Sequence, residues 1–193
     1  MIYEYIEKFL DIQFDDNIRM LFDQHAKIVH FPAQFTVLHE GDRASSLYFI
    51  LSGVVRGYYI DELGNDITKC FSMENGICSS EGLLTENAAS YTVECLKDCK
   101  CIKIPYSLFH EVINSNLQAS QKINSLFLKE IGKYERRSRD FVIKNAEERY
   151  RNFCKDYPSL HNRIALKYIA SYIGIRIPSL SRIRKKMKIL TEN

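Results

Sequence analysis

The sequence predicts an α+β fold. An N-terminal antiparallel β-roll, a double-stranded jelly roll with flanking helices, is followed by one long helix and a C-terminal helix-turn-helix. Three observations predict it. Short β-rich segments separated by glycine or turn residues fill 27–104. Strand signals stop after Pro105, and apolar residues then recur at helical spacing to about Phe141. The stretch KYIASYIGIRIPSLSRIRKKM, 167–187, sets apolar residues, one glycine and one proline at the offsets of two short crossed helices.

At the N-terminus, Ile2, Tyr5, Ile6, Phe9 and Leu10 form one apolar stripe. Asp15 or Asp16 can cap a second helix carrying Ile18, Leu21 and Phe22. The β region reads KIVHF, FTVLH, LYFIL, VVRGYYI, ITKCFSM, SYTVECL and CKCIKI, punctuated by Gly41, Gly53, Gly57, Gly64, Gly76 and Gly82. GVVRGYYIDELGNDITKCF is its clearest hairpin, turning near Leu63-Gly64-Asn65. Leu108, Phe109, Val112 and Ile113 mark a short helix that Asn114-Ser115-Asn116 breaks.

The long helix runs from about Leu117 to about Phe141. Positions 120, 124, 127, 131, 134, 138 and 141 step 4-3-4-3-4-3, the period of a coiled-coil seam. Ile123 and Leu126 lie on a second face that can dock on the β-roll. A helix with two apolar faces needs two partners, and the same helix of a second subunit can be one of them. Phe127, Ile131, Tyr134 and Phe141 are the expected contacts of a homodimer. The resulting division is 1–115 sensor domain, 116–143 dimerisation helix and 144–193 helix-turn-helix domain. Asn145 caps the first helix of the last part, with Glu147 and Glu148 in its first turn.

In the C-terminal pair, Ile169, Ile173, Leu180 and Ile183 fill the wedge between helices. Ala170 is small where the second helix crosses, and Gly174 supplies a turn conformation that a side chain resists. Pro178 sits in the first turn of the second helix, where its missing N–H costs little. With Leu180, Ile183 and Met187 inward, Ser179, Arg182, Lys185 and Lys186 face outward. A helix so arranged fits the major groove of duplex DNA. Arg182 is the candidate for a bidentate contact to guanine, and Ser179 can reach a base or phosphate. Arg184, Lys185, Lys186 and Lys188 are candidate phosphate neutralisers; Arg176 is a further DNA-binding candidate, and Lys167 and Tyr168 can touch the backbone from the preceding helix.

Charge supports that partner. Residues 144–193 hold twelve Lys/Arg and four Asp/Glu, net +8, whereas the preceding 143 hold fifteen and twenty, net −5. No apolar run reaches the roughly 18 residues of a membrane span, and MIYEYIEKFLDIQFDD lacks the basic start and apolar run of a signal peptide. The six cysteines, at 70, 78, 95, 99, 101 and 154, then predict reduced thiols in a cytoplasm. They lack paired C-x2-C spacing, so they read as small apolar core residues rather than metal ligands. No cofactor and no catalytic residue are expected.

A glycine-punctuated β-roll, a long helix and a helix-turn-helix in this order resemble the Crp–Fnr family of bacterial transcription regulators. The matching residues are Gly41, the Tyr48-x-Ile50-x2-Gly53-x-Val55-Arg56 segment, Ser80-Glu81 and 164–187. The resemblance implies a homodimer on an imperfect palindrome, contact with RNA polymerase, and an effector in the β-roll that biases the DNA-binding heads. Many relatives continue into a β-hairpin wing; Asn193 follows soon after the second helix, so a full wing is not expected. Cyclic-nucleotide binders of the family use a Gly-Glu pair and a later Arg-Ser pair that holds the phosphate. Here Ser80-Glu81 stands near the first and Ala89-Ser90 at the second, with no Arg between Gly82 and Lys97. A buried phosphate without its cation is costly, so cyclic AMP is not the expected effector. Ser80, Glu81, Ser90, Tyr91 and Tyr134 are the candidates for an altered pocket, and the effector is unknown.

Two other readings compete. A ligand-sensing β-roll acting through protein contacts leaves the cations of 176–188 idle. A cupin-like metal enzyme needs clustered His ligands, and only His39-Glu40 is adjacent.

Overall fold

The computed structural model describes residues 1–79 and 87–191, with side chains through Met187. The chain forms two compact units: Met1–Ile60 with Lys69–Lys129, and Asp61–Thr68 with Glu130–Asn193.

The first unit opens with α1 (Ile2–Leu10) and α2 (Asp16–His25). Asp15 caps α2 by accepting from the Ile18 amide at 2.8 Å. Among the described residues eight strands follow: β1 (Lys27–Phe31), β2 (Thr36–Leu38), β3 (Ser46–Ser52), β4 (Val54–Ile60), β5 (Asp66–Met73), β6 (Ile77–Cys78), β7 (Thr92–Cys95) and β8 (Cys99–Pro105). They build two four-stranded sheets, β1-β8-β3-β6 and β2-β7-β4-β5, with antiparallel registers such as Ile50↔Cys101 and Arg56↔Glu94.

Strand period decides where each side chain goes. On one face of the first sheet, Leu47, Phe49, Ile102 and Ile104 meet Ile6, Leu10, Ile18 and Phe22 of α1 and α2. Leu108, Phe109 and Val112 of α3 (Tyr106–Ser115) complete this core, with Ala119 and Ile123 of α4 (Leu117–Ile143). The alternate residues Ile50, Cys99 and Cys101 turn the other way and meet Val55, Tyr91, Val93 and Cys95 of the second sheet. Four buried cysteines therefore do the work of valines, as their sequence context predicts.

The second unit holds the C-terminal part of α4, then α5 (Ala146–Asp156), α6 (Leu166–Ile173) and α7 (Ile177–Thr191). Asn145 and Glu148 exchange the two bonds of a capping box, each 3.0 Å long. The core is aromatic: Phe153 lies 5.5 Å from Tyr157 and 5.6 Å from Tyr172, and Tyr157 meets Tyr172 edge-on at 5.9 Å. The tip of the β4–β5 hairpin, 61–68, belongs to this unit. Its loop is tied by Asp61, whose carboxylate accepts from the amides of Leu63 and Asn65.

Candidate nucleic-acid interface and sensor interior

The turn between α6 and α7 sets the interface. Gly174 ends α6 in the left-handed region, φ 68° and ψ 45°, and its amide closes the helix onto the Ala170 and Ser171 carbonyls. Arg149 donates to the Ile173 carbonyl at 2.9 Å, and Arg137 donates to that of Tyr172 at 2.9 Å. Two cations thus meet the negative end of α6. Ile169, Ala170, Ile173 and Leu180 are buried where the helices cross, and Ile183 is half-buried.

That packing presents one face of α7 to solvent. Ser179, Ser181, Arg182 and Lys185 are exposed, as is Arg176 just before the helix. Arg184 does not share the face: it is half-buried near Tyr150 and Cys154 of α5, whose pKa values burial raises and the Arg184 charge opposes only in small part. Lys186 is exposed but bound, its Nζ donating to Glu147 of α5 at 2.8 Å. Arg151 donates to the same carboxylate at 2.8 Å. These two bonds, the Lys186 one first, hold the Glu147 carboxyl below its ordinary range. Lys167 is exposed on α6 and stacks its ammonium 4.8 Å from the Tyr168 ring. The side chain of Lys188 lies outside the described residues.

Along α4, Ile131 and Tyr134 are 54% and 42% exposed. Phe127 is half-buried against the β-roll core instead. Phe141, 41% exposed, lies 5.2 Å from the Arg137 guanidinium and 5.3 Å from that of Arg149. Leu128, absent from the expected contacts, is 68% exposed and precedes Ile131 by three residues, so the two share a face. The period alone does not single it out, since 128 and 131 fit a helical stripe as well as 127 and 131.

In the β-roll, Ser80 and Glu81 lie outside the described residues. Ser90 is exposed, and Tyr91 is buried with its hydroxyl donating to the Ser79 carbonyl at 2.7 Å. The Tyr91 ring lies against Gly57: a Cβ there would come 2.8 Å from Tyr91 Cε2. Lys69 places its ammonium 3.5 Å from the centre of the same ring. Tyr134 belongs to the second unit. Sequence reading missed the buried ion pair of Arg56 with Glu94, 2.6 Å long, under which Tyr58 lies 4.2 Å from the guanidinium. Arg56 is 3% exposed, and Glu94 supplies the counter-charge that makes its burial tolerable. Among the described residues no three His, Cys, Asp or Glu side chains are grouped to hold a metal ion.

A cyclic nucleotide-binding domain matches residues 28–116. The cAMP-activated global transcriptional regulator CRP of Salmonella typhimurium is 27% identical over 105 residues, 54% of this chain and 50% of that protein. The chain therefore spans about half the length of that relative. The structure of FixK2 from Bradyrhizobium japonicum superposes with a TM-score of 0.74 at 16% identity, covering 86% of each chain. The c-di-GMP-responsive global regulator CLP of Xanthomonas campestris gives 0.70 at 16% identity, covering 91% of this chain and 92% of that one. The matched domain is a cyclic nucleotide-binding domain, and the solved neighbours share the fold of this chain from the β-roll through the C-terminal helices.

The α+β class with the long helix Leu117–Ile143 agrees with these neighbours. No described helix is long and apolar enough to cross a membrane. Locally, Tyr91 lies against Gly57, and Ala89 is buried next to Ser90.

Proposed function

We propose that this chain is a homodimeric DNA-binding transcription regulator of the Crp–Fnr type, whose β-roll senses an effector other than cyclic AMP. The observation that carries it is the exposed face of α7: Arg182 and Lys185, with Arg176 before them, stand over a buried Leu180 that locks the helix onto α6. A packed two-helix unit that shows cations on one face matches the shape and charge of a major groove. Arg182 reads a base edge, Ser179 reaches a base or phosphate, and Arg176, Lys185, Lys167 and Tyr168 hold the backbone. Arg184 and Lys186, engaged on α5, contribute less to phosphate neutralisation.

The exposed apolar residues Leu128, Ile131 and Tyr134 of α4 support pairing with a second copy, so two heads meet a palindromic operator together. Contact with RNA polymerase follows from the family alone. The case against cyclic AMP rests on the absence of Arg between Gly82 and Lys97 and on Tyr91 filling the space over Gly57. The chain acts by binding, without catalysis, in the cytoplasm.

The test is binding to a pool of duplex DNA across salt concentrations. Affinity should fall with a slope of about −0.9 in log–log form per phosphate contact. A flat response removes the reading. Sedimentation should give twice the mass of the 22.6 kDa chain. Calorimetric titration with cyclic AMP should show no heat of binding; micromolar affinity would overturn the effector claim.

A further inference from the structure

The tip of α7 carries an apolar pair where polar residues would suffice. Ile177 is 46% exposed, and Pro178 beside it is exposed. Every other exposed residue of the tip, Arg176, Ser179, Ser181 and Arg182, is polar or cationic. Single exposed apolar residues are ordinary on protein surfaces. This pair is distinguished by place: it occupies the first turn of the helix, the part that reaches deepest into a major groove. Pro178 is four residues before Arg182, on the same face and one turn ahead.

A guanidinium and an apolar patch one turn apart read different features. Arg pairs with the two acceptors of guanine, whereas an aliphatic side chain gains only from the C5-methyl of thymine. Resting on the DNA-binding reading above, we propose that Ile177, with Pro178, is a specificity-determining residue that recognises a thymine methyl in each half-site. One helical turn rises 5.4 Å and a base pair about 3.4 Å. The thymine therefore lies within about three base pairs of the guanine read by Arg182.

The experiment first selects tight duplexes from a randomised pool with the full chain. Each preferred thymine is then replaced by deoxyuridine, which removes the methyl and keeps every hydrogen-bonding group. One thymine per half-site should weaken binding about threefold to fivefold on replacement, the effect of one buried methyl. In Ile177→Ala the thymine and uracil duplexes should bind alike. Ile177→Val should keep the difference, and Arg182→Ala should keep it while losing the guanine preference. The inference is overturned if no thymine is sensitive to replacement, or if Ile177→Ala still prefers thymine. Failure to select any duplex sinks the DNA-binding reading at the first step, so the two failures are told apart.

Discussion

The Thr68 amide donates to the Ser171 hydroxyl at 2.8 Å, and that hydroxyl donates onward to the Asp66 carbonyl at 3.1 Å. One side chain of α6 thereby completes the backbone of a hairpin tip 103 residues earlier in the chain. Arg137 adds a bond to the Thr68 carbonyl at 3.0 Å while holding the Tyr172 carbonyl. Thr68 is fully buried. Ser171→Ala should cost about 1–3 kcal/mol, because a buried amide loses its acceptor. Urea unfolding measures it, and Ser171→Thr, which keeps a hydroxyl, should lose less. An unchanged midpoint in Ser171→Ala would show the bond contributes nothing.

Gly174→Ala meets two obstacles. Its φ of 68° disfavours any side chain, and the new methyl would lie 2.6 Å from Phe141 Cε1. The combined cost is about 2 kcal/mol, a fall in Tm of roughly 4–8 °C. Phe141→Ala in the same background should return the steric part and leave the backbone part.

Both features separate what was legible in the sequence from what was not. Gly174, Ala170, Pro178 and the Asn145 cap act within a few residues of themselves, so their spacing discloses their roles. The alternation of Leu47 and Phe49 against Ile50 is equally local. Partners remote in sequence escape such reading. Lys186 points outward on any helical wheel, yet Glu147 claims it from 39 residues away. Phe127 and Leu128 are adjacent and both apolar, and periodicity could not say which one the β-roll core would take.

Removing single cations should sort reading from holding. Arg182→Ala should relax sequence preference by roughly tenfold to a hundredfold at one base pair. Lys185→Ala should weaken all duplexes alike and lower the salt slope by about one unit. Lys186→Ala should change the slope less than Lys185→Ala, since Glu147 holds its ammonium. Filter binding on matched and scrambled duplexes reads all three. Equal profiles for Arg182→Ala and Lys185→Ala would refute the division of roles.

Acid should loosen the second unit. Lys186 and Arg151 hold the Glu147 carboxyl below its ordinary 4.5, and the Asn145 amide with Lys144 does so for Glu148. The unfolded chain therefore binds protons before the folded one, and this stability is present above about pH 4.5 and fades as pH falls through the lowered values. Unfolding followed by circular dichroism should show a loss of stability between about pH 5 and 3 that is smaller in Glu147→Gln. A pH dependence unchanged by that substitution would count against the argument.

Thiol reactivity should follow burial. Cys78, Cys95, Cys99 and Cys101 are buried, and burial pushes Cys101 up to about 12 and Cys78 well above its ordinary value. The half-buried Cys70 and Cys154 should alkylate first in the native chain, with all six reacting after denaturation. Early labelling of Cys101, read by peptide mass, would contradict the packing.

Because Asp61–Thr68 folds with residues from Glu130 onward, the second unit is not a cassette that can be severed at one point in the chain. A fragment beginning at Glu130 leaves Ser171 and Arg137 facing bare solvent where the hairpin tip belongs. Grafting this unit onto another β-roll would mean transplanting the tip of the β4–β5 hairpin with it, and swaps between relatives must move the loop and the helices as one inheritance.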